Sequence, residues 1–156
     1  MDNCPPPAPV RPVERFISIK ASPTDAFRAF AFETAQWWPI AQHSIDAENT
    51  DRLVLEPWLD GAVYQVQKDG RQLPWGRVTT FDPPNRLVLA WHIGFPAENA
   101  STVTVNFINA GDGMTDVHLI HAEFENLSAD EAENLRTGYD MGWINVFEVH
   151  FQEYFD

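Results

Sequence analysis

Residues 50–124 consist of short extended segments that are separated by tight turns. The turns are marked by Asp69-Gly70, by Pro83-Pro84 and by Gly111-Asp112-Gly113, and such pairs favour hairpin connections. A long segment with helical periodicity follows them. An antiparallel sheet with one buried face needs a cover, and this last segment is the only one long enough. The order predicts an α+β fold, in which a curved antiparallel sheet of about six to seven strands wraps around a long C-terminal helix.

The apolar pattern also predicts the individual elements. One or two short helices follow the first strand. Ser22 caps the first of them, with Pro23 at its first position, and Trp37-Trp38 belong to a second short helix that ends at Pro39. The predicted strands are residues 13–21, 52–56, 62–67, 73–81, 86–93, 102–109 and 115–124.

The C-terminal helix is predicted to begin at Ser128, which forms a capping box with Glu131. Four of its residues are spaced i, i+4, i+7 and i+11 and share one face: Trp143, Phe147, His150 and Tyr154. Glycine inside a helix costs about 1 kcal/mol relative to alanine. Gly138 and Gly142 therefore indicate a bend, or a place where another part of the chain comes close.

One glycine also lies inside a predicted strand. In Trp75-Gly76-Arg77-Val78, Gly76 indicates a bulge or a close approach of the neighbouring backbone. The face on which Trp75 lies depends on that bulge, and the pattern leaves it open.

The length of 156 residues favours one domain, which we place at residues 13–156 after a flexible proline-rich tail at residues 1–12. The net charge of −13 disfavours nucleic acid and anionic membranes as partners, and its plainer interpretation is that it keeps the protein soluble. Cys4 is the only cysteine, so no intrachain disulfide is expected. With no apolar run of about 18 residues and no signal peptide pattern, we expect a cytoplasmic protein.

Several motifs stand together in an order that resembles a known family. The chain is similar to the AHSA1-like branch of the START/Bet v 1-like (SRPBCC) superfamily over about residues 13–155. This branch is named after the activator of Hsp90 ATPase. The motifs that carry the resemblance are Gly61-Ala62-Val63-Tyr64, Trp75-Gly76-Arg77-Val78, Asp82-Pro83-Pro84-Asn85-Arg86-Leu87, Trp91, His121-Ala122-Glu123-Phe124 and Gly142-Trp143.

The resemblance implies a helix-grip fold with a cavity between the sheet and the C-terminal helix. Such cavities hold lipids, sterols, polyketides or other apolar molecules, and some members are cyclases or hydrolases. The Hsp90 activator itself carries an additional N-terminal domain, where this chain has a proline-rich stretch. His150 is a departure, since the family usually has an aliphatic residue at that place.

Alternation brings Trp91 and His121 onto the inner face of their strands. We expect a small hydrophobic or aromatic molecule to bind between sheet and helix. The candidate ligand-binding residues are Trp91, His121, Tyr139, Trp143, Phe147 and His150. The same residues also allow a filled core with a satisfied histidine, and the residues alone leave both interpretations open.

Other functions remain possible. A cyclase or hydrolase could use His121 or His150 as its acid–base group, although no catalytic motif is present. His121 and Glu123 share a face in the predicted strand, as do Asp116 and His118. A co-chaperone-like protein that stimulates an ATPase is a third possibility, and the sequence allows a monomer or a homodimer.

Metal and cofactor sites are not predicted. His118 and His121 are three positions apart. Because this is an odd number, the two side chains face opposite sides of a strand and cannot chelate one ion. The sequence contains no cysteine cluster and no HExxH motif, and no nucleotide-binding glycine pattern.

Overall fold

The computed structural model describes residues 10–156, so the predicted tail lies largely outside the described residues. Seven antiparallel strands form one sheet in the order β1-β7-β6-β5-β4-β3-β2. A long helix lies against its concave face, so the predicted α+β helix-grip fold is confirmed. The strands are β1 Val13–Ile19, β2 Thr50–Leu55, β3 Ala62–Gln67, β4 Gln72–Asp82, β5 Arg86–Trp91, β6 Ser101–Gly111 and β7 Met114–Ala122.

Two short helices connect the opposite edges of the sheet, β1 and β2. They are α1 (Pro23–Phe32) and α2 (Thr34–Trp37). Ser22 caps α1 as predicted, because its hydroxyl accepts a hydrogen bond of 3.1 Å from the backbone N–H of Asp25. The apolar stripe of α1 is buried against the sheet and supplies Phe27 and Phe30 to the core.

The C-terminal region is more divided than the pattern predicted. Strand β7 ends at Ala122, since Glu123 adopts a left-handed conformation with φ of 67° and a short helix, α3 (Phe124–Leu127), follows. Glu123 therefore does not share a strand face with His121. Its carboxylate instead accepts a hydrogen bond of 2.6 Å from the Thr102 hydroxyl.

The predicted start of the long helix at Ser128 is wrong. Helix α4 (Ala132–Trp143) begins after Glu131. The Ser128 hydroxyl does accept a hydrogen bond from the Glu131 backbone N–H, at 3.3 Å, but this bond closes a turn between α3 and α4. The predicted hydrogen bond between Ser128 and Glu131 is thus present, but it does not mark the beginning of the helix.

The final part of the helix is a π-helical segment, Ile144–Phe151. A π-helix bonds i to i+5, so the α-helical spacing no longer places residues on one face. The prediction of a continuous face is therefore wrong in its second half: His150 and Tyr154 are only partly buried. The segment buries Val146, Phe147 and Phe151 instead.

Trp75 is fully buried on the concave face of β4. Gly76 is the reason that the strands can pack so closely there, because a Cβ at this position would overlap the carbonyl oxygen of Ala90 on β5. The close backbone approach expected at Gly76 is therefore confirmed. No helix within residues 10–156 is long and apolar enough to cross a membrane.

Candidate functional site

A cavity of ≈ 160 Å³ lies between the sheet, the C-terminal helix and the loop after α2. Its wall is mostly apolar, and the cavity is partly open to solvent. The sheet contributes Trp91, and Ile93 lies just beyond the end of β5. The residues that line it are Trp38, His43, Ser44, Ile45, Trp91, Ile93, Tyr139, Gly142, Trp143 and Val146.

Four indoles build the framework of this cavity, one each from the segment after α2, from β4, from β5 and from α4. Trp38, Trp91 and Trp143 line it, and Trp75 lies behind Trp38 and Trp91. Neighbouring ring centroids are 5.3 to 6.0 Å apart, in tilted or edge-to-face arrangements. Aromatic rings at these separations attract one another beyond their apolar burial, so the cavity has rigid walls.

His121 lies directly behind this wall and is completely buried. The Ser101 hydroxyl donates a hydrogen bond of 2.9 Å to the carbonyl oxygen of Trp91. Its oxygen is then free to accept the Nε2–H of His121 at 2.7 Å. On the other side of the ring, the Trp143 indole N–H donates to Nδ1 of His121 at 3.0 Å. These partners assign the neutral tautomer with its proton on Nε2.

Burial lowers the pKa of His121 to about 3, because a charged imidazole would lose its hydration there. The rings of Phe124 and Tyr139 cover the imidazole, with centroids at 4.4 and 4.6 Å. Both ring nitrogens are occupied, so neither is free to exchange a proton with a molecule in the cavity. The chemistry available to His121 is to orient Trp143 and to hold β6, β7 and α4 together.

The loop wall of the cavity is held by a buried amide, Gln65 on β3. Its Oε1 accepts the backbone N–H of Ile45 at 2.9 Å and its Nε2 donates to the Ile45 carbonyl at 2.6 Å. The side chain thereby bonds both sides of Ile45, as a neighbouring strand would. The indole of Trp75 also donates to Gln65 Oε1 at 2.9 Å. This network fixes the loop relative to the indole framework.

His43 is the imidazole that lies in the cavity wall itself. Its ring packs over Gly142, where a Cβ would be 3.6 Å from the ring carbon Cε1. Burial, followed by the proximity of His150, lowers the pKa of His43. His43 is not among the predicted site residues, because the loop after α2 carries no periodic apolar pattern. Gly142 was the only residue that pointed to this contact. A glycine inside a helix indicated that another part of the chain comes close, but not that His43 does.

Tyr139 and Trp91 form a polar corner of the cavity. The indole nitrogen of Trp91 is buried and has no hydrogen-bond partner within residues 10–156. It lies close enough to Tyr139 to favour ionisation of the phenol, although burial has the larger effect and raises the Tyr139 pKa overall. An indole N–H whose hydrogen bond is incomplete is costly in a buried place, and the phenol of Tyr139 is the group that this one faces.

The structure brings together part of the predicted set. Trp91, Tyr139 and Trp143 line the cavity, whereas His121 lies behind Tyr139 and Trp143 and does not line it. Phe147 is fully buried in the core below. His150 lies on the π-helical segment, outside the lining residues.

His118 occupies the outer face of β7 and stacks on Phe16, with ring centroids 4.0 Å apart.

Comparisons with known proteins show which families and folds this chain is similar to. A search of curated proteins finds no match. Among solved structures, the anthrahydroquino-γ-pyrone synthase Txn09 is 29% identical, with a TM-score of 0.58 over 86% of this chain and 90% of its own. CalC, a self-sacrificing resistance protein from Micromonospora echinospora, is 26% identical, with a TM-score of 0.67 over 94% of both chains.

An HSP90 activator from Plasmodium falciparum is 20% identical, with a TM-score of 0.56 over 89% of this chain and 96% of its own, and shows a shared fold. The profile of the family described as activator of Hsp90 ATPase homolog 1-like protein matches residues 20–155. This chain therefore belongs to the activator of Hsp90 ATPase homolog 1-like family.

Proposed function

We propose that this protein binds a small apolar or aromatic molecule in the cavity between Trp38, Trp91 and Trp143. The observation that carries the proposal is an apolar void between sheet, helix and loop that is bounded by three indoles in mutual contact. Close packing is the rule in protein interiors. A void with aromatic walls is therefore a candidate site for a guest.

The size of the void bounds the guest. An apolar cavity of about 150 Å³ can hold benzene, whereas sites for drug-sized ligands measure about 300 to 1,000 Å³. The cavity of ≈ 160 Å³ thus fits one aromatic ring, or the end of a longer molecule that continues through its opening. Each 100 Å² of apolar surface removed from water contributes about 2.5 kcal/mol, before the costs of association.

The relatives support a small-molecule role. Txn09 is a synthase named for an anthrahydroquino-γ-pyrone and was solved in complex with a compound designated SUM. CalC is named as a resistance protein. A cavity that accepts one aromatic ring is consistent with a guest from the same broad class as the compound for which the synthase is named.

Binding can be tested with toluene as a single-ring probe, followed by chemical shifts of the tryptophan indole N–H groups. We expect saturable shifts in the wild type. Ile93→Trp fills the cavity from its partly exposed wall and should abolish them. Ile108→Trp is the matched control, because Ile108 lies exposed on β6 away from the cavity, and it should bind like the wild type. Absence of saturable shifts in the wild type would contradict the proposal.

Native mass spectrometry of the purified protein is the complementary measurement. A bound molecule that is present with the wild type and with Ile108→Trp, but lost from Ile93→Trp, would supply the mass of the natural guest. Its retention by both variants would place it elsewhere on the protein.

An enzyme that acts in the same cavity is the second candidate, favoured by the presence of an imidazole in the wall and by the synthase among the relatives. His43 would be the acid–base group, since neither nitrogen of His121 is free. Turnover of a bound guest should then fall strongly in His43→Gln while the affinity for toluene is retained. Equal turnover by His43→Gln and wild type would exclude this role.

A further inference from the structure

The cavity contains one polar corner in which a buried donor, the Trp91 indole N–H, faces the Tyr139 phenol without a complete hydrogen bond. Trp91 is 2% exposed, and its indole nitrogen has no hydrogen-bond partner within residues 10–156. An indole N–H can only donate. The acceptor that would satisfy it must therefore come from a neighbouring group that moves, from a guest, or from both.

Tyr139 is the neighbouring group. It lines the same cavity from helix α4, and its ring packs edge-on against the imidazole of His121, with centroids 4.6 Å apart. Because the proton of a phenol can be donated while its oxygen accepts, Tyr139 can stand between Trp91 and a guest. Trp91 would donate to the phenol oxygen, and the phenol would donate to the guest.

The other indole and hydroxyl donors of the cavity wall already have acceptors within residues 10–156, which leaves only the His43 imidazole beside this pair. The Trp143 indole N–H is used by His121, and the Trp38 indole N–H donates to the His43 carbonyl at 2.9 Å. The Ser44 hydroxyl donates to the Ile40 carbonyl. Tyr139 and Trp91 thus form the donor corner of a site whose other indoles are already committed.

We propose that Tyr139, backed by the indole N–H of Trp91, binds a hydrogen-bond acceptor oxygen on the guest, so that the preferred ligands are aryl ketones and related aromatic carbonyl compounds rather than pure hydrocarbons. This inference rests on the proposed binding function and deepens it. A guest oxygen orders the phenol, and the ordered phenol supplies the acceptor that Trp91 lacks. Ligand selectivity follows, because a hydrocarbon of the same shape leaves the Tyr139 O–H without an acceptor.

The test compares two probes of nearly the same shape, acetophenone and α-methylstyrene, in which a C=CH₂ group replaces C=O. We expect the wild type to bind acetophenone about three- to tenfold more tightly, the range that one net hydrogen bond supports. Tyr139→Phe should remove this preference and leave the affinity for α-methylstyrene within about twofold. Tyr64→Phe, on β3 outside the cavity, should keep the preference.

A second readout is the indole N–H resonance of Trp91, assigned by its absence in Trp91→Phe. Acetophenone should shift it downfield in the wild type, and the shift should shrink in Tyr139→Phe. Equal affinity of the wild type for both probes, or an unchanged preference in Tyr139→Phe, would overturn the inference while the binding function stands. Failure of both probes to bind would overturn both.

Discussion

The Trp143 indole donates a hydrogen bond of 3.0 Å to Nδ1 of His121, and this contact joins the C-terminal helix to the last strand of the sheet. The opposite nitrogen of the ring donates to Ser101, which is bonded to the Trp91 carbonyl. One neutral imidazole thereby holds the Trp143 indole directly and the backbone of Trp91 through Ser101. His121 is accordingly a positioning residue, and its protonation should disturb the cavity wall.

The protonation of His121 should make stability depend on pH. Its pKa is about 3 in the folded protein and about 6.5 when unfolded. The unfolded chain therefore binds the proton first, so the contribution is complete above pH 6.5 and is lost as the pH falls towards 3. The expected loss is about 1.4 kcal/mol of unfolding free energy per pH unit below 6.5. Urea unfolding between pH 7.5 and 5 measures it.

Two substitutions isolate this contribution from that of the carboxylates. His121→Gln should have a shallower decline between pH 6.5 and 5 than the wild type. His118→Gln changes a histidine on the outer face, stacked on Phe16, and should keep the decline of the wild type. Identical pH profiles for the wild type and His121→Gln would show that His121 does not carry the effect.

The amide of Gln65 should be necessary for the loop wall of the cavity. Gln65→Leu leaves the Ile45 peptide and the Trp75 indole without their buried partners, so we expect a loss of about 2 to 4 kcal/mol in unfolding free energy. Gln72→Leu, an exposed position on β4, should change it by about 0.5 kcal/mol or less. Hydrogen exchange at the Ile45 amide should accelerate in Gln65→Leu alone, and a protected Ile45 amide in that variant would contradict the clamp.

The two glycines of α4 should respond differently to alanine. Both substitutions gain helix propensity of about 1 kcal/mol. A Cβ at Gly138 meets nothing within 4 Å, whereas one at Gly142 lies in ordinary contact with the His43 ring and projects at the cavity wall. We expect both variants to be at least as stable as the wild type by thermal unfolding, and only Gly142→Ala to weaken toluene binding. Equal toluene affinities would remove Gly142 from the site.

Gly76→Ala should be severely destabilising. The added methyl group would collide with the Ala90 carbonyl oxygen, a backbone atom that cannot move without breaking the pairing of β4 with β5. A loss of about 3 kcal/mol or more is expected, and chemical denaturation measures it. Stability within 1 kcal/mol of the wild type, as a surface change would give, would show that the strands can separate at this point.

The identity of most cavity residues could not be read from periodicity. Strand alternation placed Trp91 and His121 inward correctly, because each residue on a strand points opposite to its neighbours. The helix face was less predictable, since the π-helical segment Ile144–Phe151 breaks the α-helical spacing that grouped Phe147 with His150. His43 comes from a loop with no periodic signal, and only its packing on Gly142 places it in the wall.

The amino-acid sequence by itself determined the order of the strands, the hairpin turns, the capped helix at Ser22 and the inward position of Trp91 and His121. These features depend on interactions between residues that are close along the chain, and such interactions can be recognised in the sequence pattern. Tertiary structure decided the partners of His121, the amide clamp of Gln65 on Ile45 and the void between the indoles. Each of these depends on distances between segments that are 20 or more residues apart, and such distances are set only when sheet, loop and helix pack together.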